Sequence, residues 1–247
     1  MTESFHIIIP ARIGSSRLPR KALAEIAGRP LVLHTLERAR QAGAASVCVA
    51  TDSEEIADVV RADGGEVILT RADHPSGTDR LAEVVTRRRL DDQAIVVNLQ
   101  GDEPGMPAAC LHQVAELLAS DPQAQMSTLW RGLDSEAQWR DPNVVKLVAD
   151  RHQRALYFSR APIPHLRDGG WPRAQACRHI GLYAYRVAAL KAWQGLPEAE
   201  LEKLESLEQL RALAAGWRIL VAEACQSIPV GVDTHEDLAR LRVELDS

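Results

Sequence analysis

Four short apolar runs punctuate the first hundred residues: FHIII at 5–9, SVCVA at 46–50, EVIL at 66–69 and AIVVNLQ at 94–100. Each is short, continuous and rich in β-branched residues, the pattern of a strand buried on both faces. The segments between them have a helical period. GRPLVLHTLERARQAG places Pro30 in a first turn, spaces Leu31, Leu33, Leu36 and Ala39 along a helix, and offers Gly43 as a stop. TDSEEIADVVRADGG predicts a second helix, with Asp52 and Glu55 at capping-box spacing, and GTDRLAEVVTRRR a third. Strands alternating with helices at this spacing predict a parallel sheet with helices on both faces. In such sheets ligands bind outside the carboxyl ends of the strands.

The second half is less regular. NVVKLVAD and RALYFSR flank the turn RHQ and predict a hairpin, and RHIGLYAYR predicts another strand. PEAELEKLESLEQLRALAAG reads as one strong helix, WRILVAE as a strand, and THEDLARLRVEL as a closing helix with Thr234 and Asp237 at capping-box spacing. There is no internal repeat, and the chain reads as a single domain.

The chain carries a net charge of −5 with 26% charged residues, so it has no basic excess for general nucleic-acid binding. No apolar run reaches the roughly 20 residues of a membrane span, and MTESFHIII lacks the pattern of a signal peptide. A cytoplasmic protein without nucleic-acid partners or membrane insertion is expected. Cys48, Cys110, Cys177 and Cys225 are scattered, a spacing that supports neither a structural zinc site nor a disulfide framework.

Against this acidic background, FHIIIPARIGSSRLPRKAL gathers Arg12, Arg17, Arg20 and Lys21 with Gly14, Ser15 and Ser16 just after the first strand. Small residues let backbone N–H groups approach an anion, arginine forks bind phosphate oxygens in pairs, and lysine adds a compact charge. The loop is therefore a candidate polyphosphate site. Neither GxxxxGK[ST] nor GxGxxG is present, which weighs against P-loop ATPases and dinucleotide dehydrogenases.

The ordered motifs IIIPARIGSSRLPRKAL, HPSGTDRLAEV, VNLQGDEP, YFSRAPIP, RHIGLYAYR, LESLEQLR and GVDTHEDL resemble the 3-deoxy-D-manno-octulosonate (Kdo) cytidylyltransferases over nearly the whole chain. The resemblance implies a Rossmann-like α/β fold of the nucleotide-diphospho-sugar transferase type, with a smaller β-rich dimerisation and sugar-binding part. It also implies a homodimer and the Mg²⁺-dependent conversion of CTP and Kdo to CMP-Kdo and pyrophosphate, for lipopolysaccharide biosynthesis. Residues 1–130 would form the nucleotide part, 131–230 the sugar and dimer part, and 231–247 the closing helix.

By the same resemblance Arg12, Ser15, Arg17 and Lys21 face the triphosphate, with Lys21 and Arg17 stabilising charge in the transition state. Ser76, Gly77, Thr78 and Arg80 cradle base and ribose. Asp102 and Asp233 are the expected Mg²⁺ ligands, a hard cation preferring carboxylate and phosphate oxygens. Gln100, Arg160, His179, Tyr183, Glu208 and Gln209 match the sugar positions. On the predicted helix Glu208 falls between Leu201 and Leu204, in an apolar sector where a carboxylate needs partners. Three features depart from the family pattern: Arg20 stands where Gly is common, His235 where Pro is frequent, and the 164–178 segment is short. A cytidylyltransferase for another sugar acid, such as 8-amino-Kdo or sialic acid, and a non-catalytic nucleotide sensor on the same scaffold remain as alternatives.

Overall fold

A computed structural model describes residues 4–14, 18–229, 231–232 and 234–245. The first half alternates as expected: β1 (Phe5–Ala11), a 3₁₀ turn at Lys21–Leu23, a small ribbon β2 (Glu25–Ile26) and β3 (Arg29–Pro30), α1 (Leu31–Arg40), β4 (Ser46–Thr51), α2 (Glu54–Ala62), β5 (Glu66–Leu69), α3 (Gly77–Arg87) and β6 (Ile95–Asn98). Then follow α4 (Ala108–Ala119), β7 (Met126–Gly132), α5 (Glu136–Arg140), β8 (Lys146–Ala149), β9 (Ala155–Ser159), β10 (Cys177–Arg186), α6 (Val187–Trp193), α7 (Glu200–Glu205), α8 (Gln209–Ala214), β11 (Ile219–Glu223) and α9 (His235–Leu245).

The described residues form one large sheet in the order β11-β7-β10-β6-β1-β4-β5, with the β8–β9 hairpin branching from β10. β1 runs parallel to both β4 and β6, and β4 parallel to β5. β10 is antiparallel to β6 and β7, and β11 is parallel to β7. Residue alternation along β1 divides the core. Ile7 and Ile9 pack with Val32 and Leu36 of α1, Ile56 of α2 and Val114 of α4, while Ile8 faces Leu81 and Val84 of α3 and Trp193 of α6. This is the two-residue period of a strand expressed as two helical layers.

The structure departs from the residue pattern at several elements. α4 and β7, which the pattern alone leaves unassigned, complete the sheet between β10 and β11 and cover one face. The helix expected through 197–216 is two short helices, because Ser206 adopts a left-handed conformation (φ 50°, ψ 51°) at the end of α7. No helix among the described residues is long and apolar enough to cross a membrane.

Candidate functional site

Because β1, β4 and β6 run parallel, their carboxyl ends open at one edge of the sheet, and a cleft of about 260 Å³ lies there. It is bordered by Pro10 at the end of β1 and Arg12 just after it, His74 and Ser76 before α3, and Gln100 and Asp102 after β6. Gly101 lets two strand ends meet: a Cβ there would stand 3.0 Å from the Pro10 carbonyl. The Gly101 carbonyl in turn accepts from the Thr35 hydroxyl at 3.0 Å, which ties this edge to α1.

The cleft holds opposite charges in contact. Lys21, on the 3₁₀ turn, donates through Nζ to Asp102 Oδ2 at 2.5 Å. Arg12 is exposed at the rim. Arg80 lines the cleft but is almost wholly buried, its guanidinium engaged by the Thr70 hydroxyl, the Arg71 carbonyl (3.2 Å) and Asp52 (3.4 Å). Ser76 caps α3, its hydroxyl oxygen accepting from the Asp79 N–H at 3.2 Å while the hydroxyl donates to the Asp79 carboxylate at 2.7 Å. Gly77 follows it along the cleft wall.

Thr78 joins this cleft to a second group of polar residues. Its hydroxyl donates to Glu208 Oε2 at 3.0 Å and lies 3.5 Å from the Tyr185 hydroxyl. Glu208 comes from the α7–α8 junction and Tyr185 from β10, beside Tyr183, whose ring centre is 5.9 Å away. Burial raises the Glu208 carboxyl above its ordinary range, against the hydrogen bonds of Ser76 and Thr78 that favour its charged form. Among the described residues, the Tyr183 hydroxyl, Glu208 Oε1 and Gln209 Nε2 are buried with no hydrogen-bond partner. A buried polar atom without a partner costs about 1–3 kcal/mol, so three in neighbouring residues mark a place built for a polar ligand.

His179 packs against this group. Its ring is edge-on to Phe158 at 5.0 Å and tilted to Tyr183 at 5.2 Å, and its Nε2 lies 3.1 Å from the Thr128 hydroxyl. Burial pushes its pKa down to about 3, so the ring is neutral near pH 7. Gln100 reaches inward through Nε2 to Asn98 Oδ1 at 3.4 Å. Arg160 sits apart from the cleft lining. It donates to the carbonyls of Glu205 (2.7 Å), Pro142 (2.9 Å) and Ser206 (3.4 Å), three of the five N–H bonds a guanidinium offers.

The structure thus brings Arg12, Lys21, Ser76, Gly77, Arg80, Gln100 and Asp102 to one cleft, and Thr78, His179, Tyr183, Glu208 and Gln209 to its neighbour. Ser15, Arg17 and Asp233 lie outside the described residues. The backbone beside Asp233 does reach the cleft, since the Val232 N–H donates to the Asp102 carbonyl at 2.9 Å.

Asp52 escapes the residue pattern. Ser53 caps α2, accepting from the Ile56 N–H, and Asp52 is turned instead toward the first loop. Its Oδ1 accepts from the Ile13 N–H at 3.0 Å and its Oδ2 faces Arg80, so one carboxylate anchors the cationic loop to α3. An acidic residue immediately before a serine cap at a parallel strand end was the available signal.

A family model described as cytidylyltransferase matches residues 6–219. The 3-deoxy-manno-octulosonate cytidylyltransferase of Alcanivorax borkumensis is 50% identical, the match covering 98% of each chain. That of Alkalilimnicola ehrlichii is 52% identical over 98% of this chain and 96% of its own. A solved structure of a CMP:2-keto-3-deoxy-manno-octonic acid synthetase complexed with CTP has a TM-score of 0.91 at 42% identity, covering 99% of both chains.

Proposed function

The chain belongs to the cytidylyltransferase family, among the 3-deoxy-manno-octulosonate cytidylyltransferases, and from that premise we infer that it transfers CMP from CTP to Kdo, giving CMP-Kdo and pyrophosphate. The observation that carries the substrate reading is the junction of two unlike sites. A cationic cleft at the strand ends meets, through Thr78, a group of buried polar atoms still lacking partners. A nucleoside triphosphate suits the first, and a polyhydroxylated sugar acid suits the second.

In this reading the anomeric hydroxyl of Kdo attacks the α-phosphorus and pyrophosphate leaves. The protein aligns the two oxygens and stabilises the charge that develops. Lys21 and Arg12, with Arg17, face the triphosphate, and Lys21 stabilises the charge that develops on the α-phosphate or the leaving group. Ser76, Gly77, Thr78 and Arg80 hold base and ribose. Gln100, His179, Tyr183, Glu208 and Gln209 pair with the sugar. The neutral His179 ring serves as a hydrogen-bonding partner rather than a cation.

Mg²⁺ fits the residues at hand. Asp102 supplies a carboxylate in the cleft, and the Val232 N–H donates to the Asp102 carbonyl. One or two carboxylates plus phosphate oxygens and water meet the demand of this cation, and no cluster of three acidic, histidine or cysteine ligands occurs among the described residues. Bound there by Asp102 and Asp233, Mg²⁺ would neutralise phosphate charge and acidify the sugar hydroxyl. A cytoplasmic homodimer, with its nucleotide part in 1–130 and its sugar and dimer part in 131–230, completes the reading, and the product is the activated sugar for lipopolysaccharide assembly.

Pyrophosphate release tests it. CTP with Kdo and Mg²⁺ should turn over, and omission of Mg²⁺ should abolish release. 8-Amino-Kdo or sialic acid giving the higher kcat/KM would reassign the sugar, and no release with any sugar acid would favour a nucleotide sensor. Asp102→Asn should fold normally and lose turnover by orders of magnitude; near-normal turnover at saturating Mg²⁺ would remove Asp102 from the metal site.

A further inference from the structure

The spacing of the cysteines gives no sign of a disulfide, yet the fold brings two of them together. Cys110, in the first turn of α4, and Cys225, just beyond β11, place their sulfurs 3.7 Å apart across a sequence separation of 115. Cys110 is buried and Cys225 exposed. Gln113 fixes the junction, donating through Nε2 to the Glu223 carbonyl at 2.7 Å and accepting through Oε1 from the Cys225 N–H at 2.9 Å. Burial pushes the Cys110 thiol up to about 11, while the backbone N–H groups of Gln226 and Cys225 face its sulfur and favour the thiolate. Cys177 instead donates to the Leu147 carbonyl, and Cys48 is buried beside Arg88.

Beyond Cys225, described residues also meet the metal-site candidate. Pro229 packs over Gly105, where a Cβ would stand 3.0 Å from the proline ring. Gly231 lies against the Asp102 carbonyl, and the Val232 N–H donates to it. Residues 102–110 therefore meet Gly231 and Val232 at Asp102, Pro229 at Gly105, and Cys225 at the two sulfurs.

We propose that Cys110 and Cys225 form a thiol pair that low-molecular-weight disulfides oxidise to an intramolecular disulfide, fastening the segment beside Asp102 onto α4. The exposed Cys225 thiolate attacks one sulfur of the oxidant and displaces one thiolate, leaving a mixed disulfide. Cys110 then loses its proton to solvent and attacks the Cys225 sulfur, and the second thiolate leaves. Two protein thiols give up two electrons and two protons, and one small disulfide becomes two thiols. Bond formation closes the sulfurs from 3.7 Å to the bond length of about 2.05 Å.

The test uses the full chain, folded, with glutathione disulfide as the oxidant. The protein should lose two hydrogens in intact mass and stay a single chain on a non-reducing gel. Peptide mapping should show the Cys110–Cys225 link, and dithiothreitol should reverse it. Cys110→Ser should stop at one glutathione adduct on Cys225, and Cys225→Ser should leave Cys110 unmodified. The oxidised protein should gain roughly 5–10 °C in Tm and resist proteolysis between 225 and 232. A lasting glutathione adduct on the unsubstituted protein, a link through another cysteine or between chains, or no reaction in the folded state would overturn the thiol pair. A link formed with unchanged Tm and unchanged proteolysis would overturn the fastening.

Discussion

Two side chains sit where general rules disfavour them, and each has a physical cause that can be measured. Arg20 has φ 58° and ψ 29°, the left-handed region that costs a side-chain-bearing residue roughly 1–2 kcal/mol. Its guanidinium pairs with Glu55, but both side chains are half exposed, and such a pair contributes about 0–1 kcal/mol. The strain exceeds the pairing, so Arg20→Gly should raise stability by about 0.5–1 kcal/mol in urea unfolding. Because Arg20 is turned to Glu55, the same variant should keep its KM for CTP within about threefold, the scale of a screened surface charge. A larger rise would place Arg20 on the triphosphate. Glu208 is costly for the opposite reason: it is a buried carboxylate with one oxygen lacking a partner. Sugar hydroxyls would supply that partner, so Glu208→Ala should cut kcat/KM for Kdo by about 10–100-fold, the value of one to three kcal/mol, and leave CTP affinity nearly unchanged. Calorimetry with CTP beside kinetics with Kdo reads both halves. Loss of CTP binding with an unaltered KM for Kdo would make Glu208 a structural residue.

At the scale of elements, the sequence was most legible where one periodicity governs. The parallel strands from β1 to β6 and the helices between them follow directly from alternating apolar runs, and the edge at which they open follows from their direction. The same reasoning failed for the apolar sector assigned around Glu208. Leu201 and Leu204, its supposed apolar flank, are 44% and 79% exposed, because the helix breaks at Ser206. The break is a tertiary arrangement invisible to a helical wheel. The Glu205 carboxylate accepts from the Ser159 hydroxyl at 2.6 Å and the Arg160 N–H at 2.9 Å, and Arg160 returns to the carbonyls of Glu205 and Ser206. The end of β9 thereby fixes the end of α7 and sets the start of α8, where Glu208 and Gln209 project. Asp52 was misread for a kindred reason: a capping-box spacing is local, whereas its partners Ile13 and Arg80 come from other elements. Arg160→Ala should therefore lower Tm by several degrees and raise the KM for Kdo, with the KM for CTP unchanged. An unchanged Tm with a raised KM for Kdo would instead assign Arg160 to the sugar carboxylate through its two remaining N–H bonds.

For the whole molecule, the distribution of exposed apolar surface is uneven. The large hydrophobic side chains left exposed among the described residues, Leu156, Leu166, Leu201 and Leu204, all come from the 131–230 part. Leu156 on β9 is 60% exposed, and α7 lies beside that strand through the Tyr157–Glu205 contact. Close by, Trp130, Leu147, Val148, Pro164 and Ala176 border a concavity of about 690 Å³. Large apolar side chains left exposed in one part of a chain suit a contact with a second copy, which a twofold axis would bring against the same residues. A specific dimer buries roughly 800 Å² on each partner, and the β8–β9 hairpin with its exposed Leu156 is the candidate for that contact. Sedimentation velocity at micromolar protein should then show a dimer. Leu156→Glu, which sets a charge into the patch of both partners at once, should shift the population toward monomer by tenfold or more in Kd, the equivalent of about 1.4 kcal/mol. The variant should keep its circular dichroism spectrum and bind CTP as before. A dimer indifferent to Leu156→Glu would move the contact to another face, and an unsubstituted chain that sediments as a monomer throughout would end the dimer reading.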